Sequence, residues 1–105
     1  MRLPEFIKQK RLNAVLTQQE AVELLGYKKA QFLSNLERGL RKPPLEILRR
    51  MCHVYRISRE EMREHYIQEA RIDAEEKAIS KWDSHFALGQ SAQQGAPSVL
   101  EENEE

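Results

Sequence analysis

The sequence predicts an all-α chain: a five-helix domain whose fifth helix is extended, followed by a disordered acidic tail. Three observations carry that prediction. Thr17 with Glu20, and Ser58 with Glu61, are capping-box patterns, each of which marks a helix start. Gly26 and Gly39 stand where helical periodicity stops, and Pro43-Pro44 where it resumes. No stretch alternates apolar and polar residues as a strand does, and no segment repeats.

Each element can be justified in turn. Residues 4 to about 13 form a first helix, with Pro4 near its first turn, where a missing N–H costs little, and Ile7 as its clearest core position. Thr17 caps a second helix that runs to Leu25, with Leu16 and Ala21 as the flanking staple, and Gly26 stops it. A third helix starts at Lys29 or Ala30, runs to Arg38 and is closed by Gly39. Pro43-Pro44 opens a fourth, with Leu45, Leu48, Met51, Cys52 and Tyr55 along one side. Ser58 caps a fifth, with Ile57 and Met62 as staple, and its pattern continues past Ile79 to about Trp82 or Phe86. Beyond Gly89 the string GQSAQQGAPSVLEENEE is polar, broken by Gly and Pro, and acidic, so disorder is expected. The resulting division is a domain over 1–66, a C-terminal helical extension over 67–88, and a tail over 89–105.

Composition narrows the function. A chain of 105 residues with 40% apolar content can bury a modest core but not a deep catalytic cleft. One cysteine, Cys52, excludes an internal disulfide and a thiolate metal cluster, and reads as a small buried hydrophobe. His53, His65 and His85 lack metal-ligand spacing, and no glycine-rich phosphate loop or Ser/His/Asp arrangement with a pocket is present. The expectation is a non-enzymatic protein without cofactor or metal. The start MRLPEFIKQKR lacks a secretion signal and no run is long enough to cross a bilayer, so a cytoplasmic location is expected. The formal net charge of zero hides an asymmetry. Residues 1–63 carry 14 Lys/Arg against 7 Asp/Glu, a net of +7, and residues 64–105 carry 3 against 10, a net of −7. Such a basic front suits a polyanion, although helical domains are also unevenly charged by chance.

The segment LGYKKAQFLSNLERG concentrates the informative side chains. Helix, short turn, helix is helix-turn-helix spacing. At about 100° per residue, Leu33 and Leu36 fall on one side with Phe32 flanking, while Gln31, Asn35 and Arg38 fall on the other with Ser34 and Lys28 beside them. Amides present a donor and an acceptor together, which matches an adenine edge, and an arginine fork matches guanine or phosphate. The same residues also make an ordinary solvated face. Glu37 lies on the inward flank, where a carboxylate needs a cation.

Arg11, Thr17-Gln18-x-Glu20, Leu25-Gly26, Leu33-Ser34-x-Leu36-Glu37-Arg38-Gly39, Pro43-Pro44-Leu45 and Tyr55-x-Ile57-Ser58 together resemble the helix-turn-helix domain of the Cro/C1-type (XRE) repressor family. The resemblance covers residues 4 to about 66 and implies a lambda-repressor-like fold binding double-stranded DNA. It implies that Arg11 pairs with Glu37. It implies base contacts from Ala30, Gln31 and Asn35, with Lys29 at their edge. It implies phosphate contacts from Thr17, Gln18, Lys28, Arg38, Arg41 and Lys42. Lysine is a point charge, so Lys28 and Lys29 suit phosphate better than a base. Two departures stand out. Gly39 follows Gly26 by thirteen positions rather than twelve, an insertion placed at Tyr27-Lys28-Lys29. Val22 stands where the family has a small alanine, and would crowd the contact between helices two and three.

Ile72, Ile79 and Phe86 recur every seven residues with Trp82 between the last two, and Glu75 interrupts the seam. That stripe either pairs two chains through residues 67–88 as a homodimer or packs back on its own core. The function expected is a sequence-specific transcriptional regulator, a repressor by family habit. Two alternatives stand beside it. One is an antitoxin whose acidic C-terminal segment covers a basic protein partner; the other is an interaction adaptor that keeps the fold without reading DNA.

Overall fold

The structure, a computed structural model, describes residues 1–92, with side chains to residue 87. The described residues are all-helical. In chain order the helices are α1 (Leu3–Asn13), α2 (Gln18–Leu24), α3 (Ala30–Glu37), α4 (Leu45–Val54) and α5 (Arg59–Ala92). None is long and apolar enough to cross a membrane. The chain divides into two compact units, Met1–Glu69 and a second beginning at Ala70.

The first unit holds the core. Leu3, Phe6 and Ile7 from α1 meet Ala21, Val22 and Leu25 around α2, Leu33 and Leu36 from α3, and Ile47, Leu48 and Met51 from α4; Tyr55, Ile57 and Met62 complete it. Val22 is fully buried. α4 departs from the expected stripe. Its inward side is set by Ile47, Leu48, Met51 and Tyr55, and Leu45 is 62% exposed. Leu45 lies about 200° around the helix from Ile47, so it cannot share that side. Cys52 is half-buried at the edge of the stripe, rather than enclosed in the core. Burial raises its thiol pKa above the ordinary cysteine value.

The caps explain the boundaries. Thr17 Oγ1 accepts from the Glu20 N–H at 3.0 Å, and Glu20 Oε1 accepts from the Thr17 N–H at 2.9 Å, a complete capping box. Ser58 Oγ accepts from the Glu61 N–H at 3.0 Å, whereas the Glu61 carboxylate lies 3.2 Å from Lys10 Nζ on α1. At the other end, α1 to α4 all finish in the same motif. The residue after the C-cap adopts positive φ and the next N–H reaches back five residues: Leu16 to Arg11, Tyr27 to Val22, Leu40 to Asn35, Ile57 to Cys52. Gly26 and Gly39 fill two of these positive-φ positions, and Val15 (60°) and Arg56 (58°) fill the other two.

The division at Glu69 also has a cause. Its carboxylate takes two hydrogen bonds from the Arg2 guanidinium, at 3.0 and 2.7 Å, and one from the Leu3 N–H at 3.0 Å. It thus fastens the start of α1 to α5. Phe6 and His65 stack 3.7 Å apart along the same contact. Farther on, Ile79, Trp82 and Phe86 are exposed, and the Trp82 and Phe86 rings stack at 4.2 Å. α5 continues through Gly89 to Ala92, past the expected start of the tail. The expectation of disorder over 93–105 lies outside the described residues.

Candidate nucleic-acid interface

The corner between α2 and α3 is held from two sides. Gly26 has φ 92°, a conformation that an L side chain resists, and its N–H donates to the Glu23 carbonyl at 3.0 Å. From α4, Arg50 Nη1 donates to the Leu25 carbonyl at 2.8 Å, and a Cβ on Gly26 would stand 2.8 Å from that same nitrogen. From α2, Gln19 Nε2 donates to the Lys28 carbonyl at 3.2 Å and to Glu23 Oε2 at 2.7 Å. These bonds fix the five residues between the helices, so the longer corner is an ordered one. Arg50 escaped sequence reasoning, because its partner is 25 positions away and nothing local marks it.

α3 sorts its side chains as helical geometry requires. Leu33 and Leu36 are buried, and Phe32 is half-buried against them, stacked on Tyr27 at 4.5 Å. The Arg41 guanidinium sits 5.5 Å from the Phe32 ring, which brings a cation from the following loop to the end of the helix. On the outward side Gln31 is exposed and Asn35 half-buried, and Gln31 Nε2 donates to Asn35 Oδ1 at 2.8 Å. That bond couples the two amides. Gln31 Oε1 and Asn35 Nδ2 then have no hydrogen-bond partner among the described residues, leaving an acceptor and a donor side by side. Lys28, Lys29, Arg38, Arg41 and Lys42 are exposed around this face, while Ala30 and Ser34 are half-buried.

Behind the face lies a buried ion pair. Arg11 Nε and Nη2 donate to Glu37 Oε2 and Oε1 at 2.7 and 3.0 Å, and Arg11 Nη1 donates to the Leu16 carbonyl at 2.8 Å. The Glu37 carboxylate raises the Arg11 pKa further above its ordinary value. Gln18 Nε2 also donates to Glu37 Oε1, at 3.0 Å. The amide expected to reach DNA phosphate is therefore tied inward, with its own Oε1 and second N–H remaining for other contacts. The network links α1, the first residue of α2 and the last residue of α3, and so fixes how α3 is presented. Tyr55 is the exception: its hydroxyl is buried without a hydrogen-bond partner among the described residues.

Residues 2–65, well over half the chain, match the family model described as a helix-turn-helix domain, which lies in the XRE/Cro-like group. No curated protein and no solved structure matches the chain.

Proposed function

The chain belongs to the helix-turn-helix domain family, whose business is DNA binding and transcription regulation, and on that premise we propose that it is a sequence-specific repressor reading the major groove with α3. One observation carries the reading: the coupled amides of Gln31 and Asn35 on the outward side of α3, ringed by cationic side chains. A free acceptor beside a free donor complements the adenine edge, which offers an N6 donor and an N7 acceptor. Lys28, Arg38, Arg41 and Lys42 supply the phosphate contacts that set register but carry no sequence information, with Thr17 and Gln18 at the start of α2. Lys29 and Ala30 flank the base-reading pair. The part this protein plays is binding, not catalysis.

A second reading concerns assembly. Exposed Ile79, Trp82 and Phe86, in sequence register with Ile72, support a homodimer through residues 67–88. Two copies would set two recognition helices on half-sites about one DNA turn apart.

Selection of bound sites from a random duplex pool tests both readings. A sequence-specific regulator returns a defined half-site, and a dimer returns it twice at fixed spacing. On the selected site, Gln31→Ala and Asn35→Ala should each weaken binding by about 1–3 kcal/mol and relax selectivity at one position. Equal losses on every sequence would move both residues to the phosphate class. Affinity should also fall steeply as salt rises, because each neutralised phosphate releases counterions. An interaction adaptor would respond little to salt, and an antitoxin would be distinguished by a basic protein partner.

A further inference from the structure

The groove between α4 and α5 carries chemistry that DNA binding does not use. It has a volume of about 660 Å³ and an apolar floor, with Leu48 and Met62 buried at its base and Leu45 and Tyr66 exposed along it. Basic side chains stand on both sides at one-turn spacing, Arg49 and His53 on α4 and Arg59 and Arg63 on α5. Arg49 is engaged by Glu46 within α4. Arg59 and Arg63 have neither an ion-pair nor a hydrogen-bond partner among the described residues. Glu60 is the one carboxylate among the lining residues.

We propose that this groove docks an acidic peptide segment of a partner protein. Its apolar side chains would cover Leu45 and Tyr66 above the buried Leu48 and Met62, and its carboxylates would meet Arg59 and Arg63. Charge complementarity selects the occupant: two unengaged guanidiniums one turn apart on α5 line one side of an apolar strip, so a ligand must be apolar along its centre and anionic at that margin. Duplex DNA fits poorly, because its phosphate backbone has nothing to bury against leucine and tyrosine. A small molecule fits poorly too, because the site is an open trough rather than an enclosing pocket. The inference is independent of the DNA reading and uses none of its residues.

The test follows binding of a fluorescein-labelled twelve-residue peptide, Glu-Leu-Leu-Glu repeated three times, to the full-length chain by anisotropy. Saturable binding is expected, weakened about tenfold or more by Arg59→Glu with Arg63→Glu, by Leu45→Asp, and by replacing the peptide's glutamates with glutamine. All three protein positions are exposed, so the variants should fold; circular dichroism checks that they do. The double variant, which reverses two charges on the basic front, should lose much less DNA affinity than peptide affinity. Absent binding, or binding that the double variant leaves unchanged, would overturn the proposal. So would a matching loss of DNA affinity, which would assign the arginines to phosphate, or a fall in sedimentation mass, which would assign the groove to a second copy. Binding seen only after Glu101, Glu102, Glu104 and Glu105 are changed to Gln would assign it to the chain's own acidic end, and would equally overturn it.

Discussion

Arg11 on α1 grips Glu37 at the end of α3 through two parallel hydrogen bonds, 2.7 and 3.0 Å long, inside the domain. Both side chains are nearly sealed from water, at 7% and 1% exposure, so neither charge can fall back on solvent. Removing one partner strands the other. Arg11→Met should lower stability by about 3–5 kcal/mol, read as a fall in urea midpoint, even though Gln18 still donates to Glu37. Adding Glu37→Leu should recover much of that loss, since a buried pair replaced by apolar groups is often neutral. An unchanged midpoint in the single variant would mean that Glu37 finds water or protonates at little cost.

Val15 gives a prediction of the opposite sign. It follows the C-cap of α1 with φ 60°, and the residue is 87% exposed. A β-branched residue is poorly suited to that conformation, which costs an L residue about 1–2 kcal/mol, and here no packing repays it. Val15→Gly should raise the melting temperature, with a net gain of about 1 kcal/mol after the extra freedom glycine brings to the unfolded chain. A lower melting temperature would show that Val15 does something for the fold that its exposure conceals.

Tyr55 links burial to pH. Its hydroxyl is buried and unpartnered, and burial, with the nearby Glu37 charge, pushes its pKa well above the ordinary value of 10.0. Because the folded state holds this proton more tightly, the associated stability is complete below pH 10 and declines as pH rises beyond it, when the unfolded chain ionises first. Tyr55→Phe should leave stability at pH 7 unchanged or slightly higher, since no hydrogen bond is lost, and should flatten the decline between pH 10 and 11. Urea titrations of both proteins at pH 7, 10 and 11 would decide it. A clear loss at pH 7 would reveal a hydrogen-bond partner for the hydroxyl.

The candidate site was legible in the sequence to an uneven degree. The outward grouping of Gln31 and Asn35 follows from helical angles alone, and Leu33 and Leu36 fixed which side faces in. What those angles could not give was the bond between the two amides, which depends on rotamers, or the inward tie of Gln18 to Glu37, which depends on three helices meeting. Arg50, bracing the recognition corner from α4, was invisible for the same reason.

By itself the sequence determined where helices begin and where two of them end. Capping side chains act within one turn of their own residue, and glycine tolerates positive φ wherever it is placed, so Thr17, Ser58, Gly26 and Gly39 speak without their surroundings. Only the tertiary structure decided that Val15 and Arg56 would take the same strained turn without glycine, that Leu45 would face outward while Ile47 went in, and that Cys52 would sit at the edge of a groove. In each case the local preference is at most about 1–2 kcal/mol, which packing elsewhere can override. The burial of Ile7, Leu36, Ile47 and Met51 outweighs it, and the chain at those points goes where the core sends it.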